Sequence, residues 1–235
     1  MAVTLIAGNV LRENRWPILL LFLWITMGPL IFGGFGGERV DAADVAFYIQ
    51  QDAIYIVIFS AFLASHAIHH ERRSRRILLV LSKAVSRSGY LMGMLLGTML
   101  IATISALALG VCSSWLASES GLPRDGLWLI VPLLLVGSAL VVSCVVFLST
   151  FLHPLLAVTL SIPLLTAPAL ANPINPAWYA WAPGLRLLKN LLSFGFQPDW
   201  TLAWNALLAA LIEAALFYTL AALIFLRTDI AAPIE

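Results

Sequence analysis

Six runs of the chain, 16–35, 47–68, 89–116, 127–151, 154–171 and 200–226, are each 18 to 28 residues long and hold between them only two charged side chains, Asp52 and Glu213. Nothing else in the sequence constrains the fold as tightly. The hydrocarbon core of a bilayer is about 30 Å thick, so about 20 apolar residues cross it as a helix. Backbone groups in lipid have no water to bond, and a helix keeps all of those bonds internal. The spacing therefore predicts an all-α membrane protein with six transmembrane helices in a single domain spanning 1–235. Composition agrees, with 61% hydrophobic and 11% charged residues against about 25% charged in ordinary soluble domains. A formal net charge of +1 gives a nucleic acid no electrostatic footing. Cys112 and Cys144 lie inside apolar runs, where a thiol acts as a small hydrophobe. The N-terminus has no short apolar core followed by a small-residue cleavage site, so the first run is expected to stay as a membrane anchor.

The cations orient the spans. With the N-terminus inside, Arg12, Arg15, Arg72, Arg73, Arg75, Arg76, Lys83, Arg87 and Arg227 fall on the inner side, and Arg39, Arg124, Arg186 and Lys189 on the outer. Positive residues are retained in the cytoplasm. The expectation is a multi-pass protein of the inner (cytoplasmic) membrane with both termini cytoplasmic and membrane lipids around it.

Residues 1–15 place Val3, Ile6, Ala7, Val10 and Leu11 on one helical face, which predicts an interfacial helix along the inner surface. "GGFGG", 33–37, lacks the Lys-Ser/Thr of a phosphate loop and reads as a helix terminator. Pro154, Pro163, Pro168, Pro173, Pro176 and Pro183 predict a short fifth span, because an internal proline removes a backbone bond. The stretch 172–199, with Trp178, Tyr179 and Trp181, reads as an outer cap of short or re-entrant helices. "RDG", Arg124 to Gly126, reads as an outer turn. Gly89, Gly93 and Gly97 repeat every four residues and let helix backbones approach closely, within the chain or across a dimer seam.

Residues 69–88 form the largest inner loop. As a helix, Ile77, Val80, Leu81, Ala84 and Val85 share one side, and Arg72, Arg76, Lys83 and Arg87 gather opposite. Such a segment rests on anionic lipid or docks a cytoplasmic partner.

An acidic residue just past the second span, a basic stretch, "ILLVLSKAVSR" and a glycine-bearing third span resemble the first cytoplasmic loop of ABC-2 type transporter permeases. By that resemblance Glu71 holds the family's acidic position, Ile77 to Leu81 the leucine-rich coupling helix, and Ser86-Arg87 the turn before span three. The loop departs from the family pattern at Ser74-Arg75, where Gly-Thr is common, at Met92 to Met94, where a Lys is common, and in lacking a proline before the turn. The likeness extends to the N-terminal surface helix, the six spans and the short fifth span with its outer cap. It implies that Glu71, Arg72, Arg76, Ile77, Leu78, Leu81, Lys83 and Arg87 couple the chain to a separate ABC ATPase subunit. It also implies a second permease copy or a paralogue around a central path, and an ATP-driven transporter, an exporter in direction. The chain contains no Gly-x-x-x-x-Gly-Lys-Ser/Thr, the motif that grips ATP phosphates. No cofactor is therefore expected on this chain, which is not itself expected to be an enzyme, and ATP and Mg are expected in the partner ATPase.

His66 and His70 stand four apart in "HAIHHE", a spacing that can bind metal, but the string is not H-E-x-x-H and the expectation is no metal site. Asp52 is expected to mark the start of span two or to lie on the substrate path. Glu213 sits at mid-span with no Lys or Arg in any span to pair with it, so it is either a structural hydrogen-bonding group or part of the substrate path. With Asp52 it would also suit the alternative of a secondary transporter driven by an ion gradient. An intramembrane enzyme is the remaining class, and no catalytic spacing favours it.

Overall fold

The protein's structure, a computed structural model, describes residues 2–34, 41–73, 86–170, 182–197 and 199–227. Among these residues every regular element is helical: α1 Ala2–Glu13, α2 Arg15–Gly34, α3 Ala42–Arg73, α4 Arg87–Glu119, α5 Ile130–Leu148 with a 3-10 lead-in over Leu127–Leu129, α6 Pro154–Leu170, α7 Pro183–Leu192 and α8 Trp204–Arg227. Four of these helices are long and apolar enough to cross a membrane, or five if the bent pair α1 and α2 counts as one span. α6 is described over 17 residues, about 25 Å of helix, and 171–181 beyond it lie outside the described residues.

α1 and α2 meet at 67°. Pro17 supplies the cause, since its ring crowds the carbonyl of Glu13 and offers that carbonyl no N–H. The chain still bonds across the bend, from Asn14 N to Val10 O at 3.1 Å and from Ile18 N to Asn14 O at 3.0 Å. Asn14 Nδ2 adds a second donor to Val10 O at 2.9 Å.

Beyond the bend, α1 lies on the first half of α4. The face read from periodicity is the face that loses exposure: Val10 is buried and Val3, Ile6, Ala7 and Leu11 are half-buried, while Leu5 is 71% exposed. The glycine strip of α4 is the seat. A Cβ at Gly93 would stand 2.8 Å from Ile6 Cβ and 3.1 Å from Val3 O, and one at Gly97 would stand 2.9 Å from Val10 Cβ and 3.0 Å from Ala7 O. Of the two uses open to the strip, close packing within the chain is the one the structure contains.

Ser86 caps α4, its extended backbone placing Oγ 3.1 Å from Gly89 N, which satisfies one of the donors that a helix start leaves free. α3 and α4 run antiparallel and are the longest helices, at 32 and 33 residues, or about 50 Å each. α5 is the central helix, apolar all round and packed on α3, α4, α6, α7 and α8, as a helix surrounded by protein should be. Two cores result. One gathers the α1 end, with Val10, Ile68, Leu91, Val146 and Phe225, and the other gathers the α7 end, with Ile25, Ile49, Leu116, Leu134 and Leu207. Tyr218 Oη donates to Ser88 O at 3.0 Å, so α8 finishes at the end where α4 begins.

α2 is described as far as Gly34, and the rest of the expected terminator, 35–37, lies outside the described residues. Residues 124–126 form the expected turn, with Gly126 at φ 77°, a conformation that favours glycine. Of the predicted cap, α7 is one short helix with proline at its first position. It buries Pro183, Leu187 and Leu191, and 171–181 lie outside the described residues. Gln50 Nε2 on α3 donates to the carbonyls of Leu192 and Phe194 at 3.2 and 3.1 Å. Those bonds satisfy acceptors that the end of α7 leaves free.

Candidate functional site

The segment expected to engage a partner joins α3 to α4. Glu71 and Arg72 belong to the last turn of α3 and Arg87 to the first of α4. Arg76, Ile77, Leu78, Leu81 and Lys83 lie outside the described residues.

Asp52 does not mark a helix start. α3 begins at Ala42, five residues before the predicted span, and Asp52 stands ten residues in, about 15 Å along the axis. The helix start is served by Asp41, whose carbonyl accepts from Asp44 N and Val45 N at 3.1 and 3.2 Å. The polar composition of 41–52 lowers its hydropathy, and the apolar run therefore under-reads the helix. Asp52 is 3% exposed. Its Oδ1 accepts from Trp24 Nε1 of α2 at 3.0 Å, the Tyr48 hydroxyl lies beside the carboxyl, and the enclosed Oδ2 has no hydrogen bond of its own among the described residues.

One turn earlier on α3, Tyr48 Oη donates to Ile25 O at 2.7 Å. Pro29, inside α2, has no N–H to give the carbonyl four residues back, and that carbonyl belongs to Ile25. Gly28 leaves room for the ring, because a Cβ there would overlap Tyr48. Two adjacent bonds, Trp24 to Asp52 and Tyr48 to Ile25, thus clasp α2 to α3, whose backbones touch little while α2 packs mainly on α4. Sequence reading missed the clasp. Its one local signal was the Gly28-Pro29 pair in an otherwise apolar run.

Glu213 lies at mid-length of α8, half-buried, on the side where Cys144 of α5 is within its electrostatic reach. A structural hydrogen bond is not what the structure gives its inner oxygen: Oε2 is enclosed with no partner among the described residues. Asp52 and Glu213 occupy different helix interfaces, the first in the α2–α3–α4 region beside Cys112 and the second between α5 and α8. An enclosed acceptor without a donor destabilises by about 1–3 kcal/mol, and an apolar replacement of similar size removes that penalty. Glu213→Leu is therefore expected to insert and to unfold in detergent at the parent's temperature or above it, by the equivalent of up to about 2 kcal/mol. A lower melting temperature in a scan of both proteins would show that the carboxyl is bonded and structural.

A cavity of about 350 Å³ opens between α3, α5, α6 and α7, walled by residues such as Ile58, Leu140, Ile162, Leu165 and Leu188. Three hydroxyls reach its lining, but each donates to its own helix: Thr159 to Leu155 O at 2.9 Å, Ser161 to Val158 O at 2.6 Å and Thr166 to Ile162 O at 2.9 Å. The wall is chemically apolar in consequence and suits a hydrocarbon chain or ring system. α7 separates it from a polar pocket of about 340 Å³ lined by Asn190, Ser193, Gln197, Asp199 and Trp200.

Among the described residues no three His, Cys, Asp or Glu side chains are grouped to hold a metal ion. No protein-family model matches the chain, and no curated protein is similar to it in sequence. The fold defines a class, helical throughout its described residues with several helices long and apolar enough to cross a membrane.

Proposed function

We propose that the chain is the membrane-spanning permease subunit of an ATP-driven transporter of the ABC-2 type, an exporter, with six spans, both termini in the cytoplasm, and a second copy or paralogue completing the path. A separate ATPase binds the basic segment and supplies ATP and Mg. One observation carries the reading. The segment between Glu71 and Arg87 connects the ends of the two longest helices, α3 and α4, and these pack on α1, α2, α5, α6 and α8. A push delivered there reaches the core through rigid elements, as a hinge or shear motion requires. The seating of α1 on α4 supports the same reading, because it ties the N-terminal helix to the helix that follows the segment. α6, an apolar helix described over 17 residues, serves as the fifth span. The apolar cavity suits an amphiphilic or apolar substrate.

The enclosed, unpartnered oxygens of Asp52 and Glu213 favour one second reading, a secondary transporter in which these carboxyls carry the coupling ion. The two readings differ in what the basic segment does. In the first, Glu71→Ala, or Arg76→Glu with Lys83→Glu, lowers transport and substrate-stimulated ATP hydrolysis about fivefold or more, the lower range of coupling free energies. Membrane insertion is unchanged, because Arg72, Arg73, Arg75 and Arg87 still mark the segment as an inner loop. Transport that is normal in these variants, or that persists with no ATPase in the vesicle, would favour the second.

A further inference from the structure

The chain has four histidines, and three of them, His66, His69 and His70, end the apolar part of α3. The fourth, His153, is 84 residues away in sequence. In the fold it stands against His69, with ring centres 5.4 Å apart and planes at 62°. Two imidazoles that bind one tetrahedral ion through nitrogens at about 2.0–2.1 Å hold their ring centres about 5 Å apart.

The backbone that carries the pair is held in place, while the His153 ring itself is exposed. Ser65, one turn before His69 on the same face of α3, donates to Pro154 O at 3.0 Å. Its single hydrogen is then used, so the 3.1 Å contact between Ser65 Oγ and Ser149 Oγ has Ser149 as donor. Both serines are buried. The backbone on either side of His153 is fixed as well, by Leu152 N bonding Leu148 O at 2.9 Å and by Ala157 N bonding His153 O at 2.9 Å. The α5–α6 turn is therefore pinned to α3 one residue from His153, and the two rings are brought together before any ligand arrives. Such preorganisation is what a ligand site needs from the residues around it.

We propose that His69 and His153 form a binding site for a divalent transition-metal ion of the zinc or nickel kind, for which imidazole is the preferred nitrogen ligand. No third His, Cys, Asp or Glu completes a set of three among the described residues. Two protein ligands leave coordination positions open to water or other donors, the form of a reversible site rather than the closed form of a structural one. An ion held here ties the last turns of α3 to the start of α6. It would restrain the helix end that leads into the basic segment. The site does not depend on what the protein transports.

The full chain, purified in detergent and free of any histidine tag, is titrated with Zn²⁺ against a chromophoric chelator, and its melting temperature is measured with and without Zn²⁺. The expected result is one bound ion per chain and a Zn²⁺-dependent rise in melting temperature. His69→Gln and His153→Gln should each weaken binding by about tenfold or more and abolish the rise, and the double variant should lose little beyond either single one. Both variants should melt as the parent does when Zn²⁺ is absent, which separates loss of a ligand from loss of fold. No binding by the parent would overturn the proposal. So would binding that survives His153→Gln but fails in His66→Ala or His70→Ala, because the ion would then sit on the i, i+4 pair of α3 alone.

Discussion

Replacing Gly93 and Gly97 together by leucine is expected to lift α1 off α4 and to destabilise the protein strongly. The space is set by backbone as much as by side chain. The added Cβ atoms would meet Val3 O at 3.1 Å and Ala7 O at 3.0 Å, and a carbonyl within a helix cannot rotate aside. Overpacking of this kind destabilises by about 1–3 kcal/mol per site, and displacement of α1 also exposes Val10 and Ile6, so the pair should lose about 2–6 kcal/mol. Trypsin should then cleave at Arg12 and Arg15 well below the melting temperature of the core. Gly8→Ala is the control on the opposite face, where an added Cβ meets nothing within 4 Å. It should be neutral or stabilise by up to about 1 kcal/mol through helix propensity alone. Equal protection of α1 in the leucine pair and the parent would show that the strip is not its seat.

The second large effect is expected at the α2–α3 clasp. Tyr48→Phe should destabilise by about 1–3 kcal/mol, since it leaves the Ile25 carbonyl buried with no donor. Gly28→Leu should match or exceed that loss, because its side chain takes the volume of the Tyr48 ring and removes the same bond. The decisive measurement is a double-mutant cycle with Pro29→Ala. That substitution restores an N–H to Ile25 O within α2, so the penalty of Tyr48→Phe should shrink to below about 1 kcal/mol in that background. A penalty of equal size in both backgrounds would mean that Tyr48 acts through packing and not through the carbonyl that Pro29 frees. The same clasp explains why α2 needs few backbone contacts with α3: two aromatic side chains span the gap, and each ends in a hydrogen bond.

Much of the architecture was legible because it rests on local rules. The face of α1 could be named residue by residue, as Val3, Ile6, Ala7, Val10 and Leu11, from a period of 3.6. The start of α6 at Pro154 follows from proline chemistry. The depth of Asp52 was not legible, since the first turns of α3 carry Asp44, Gln50 and Gln51 and do not look like part of a membrane helix. Gln50 is there to cap a helix whose carbonyls lie 142 and 144 residues further on. Glu213 was legible as an anomaly at mid-span, but which oxygen is enclosed and what lies beside it depends on α5.

The sequence by itself determined that this chain is helical, that α6 begins at Pro154, and that its cations fall outside the apolar runs. Each of these follows from the cost of an unsatisfied backbone group or a charge in lipid, or from the steric limits of proline, which act within a few residues. Only the tertiary structure decided that α1 lies on the glycines of α4, that Tyr48 answers the carbonyl freed by Pro29, and that His153 meets His69. Helices that are apolar on every side, such as α5, have no polar face to indicate which neighbour each surface will meet. Their partners are settled by close approach at small residues and by single polar bonds between residues far apart in the chain.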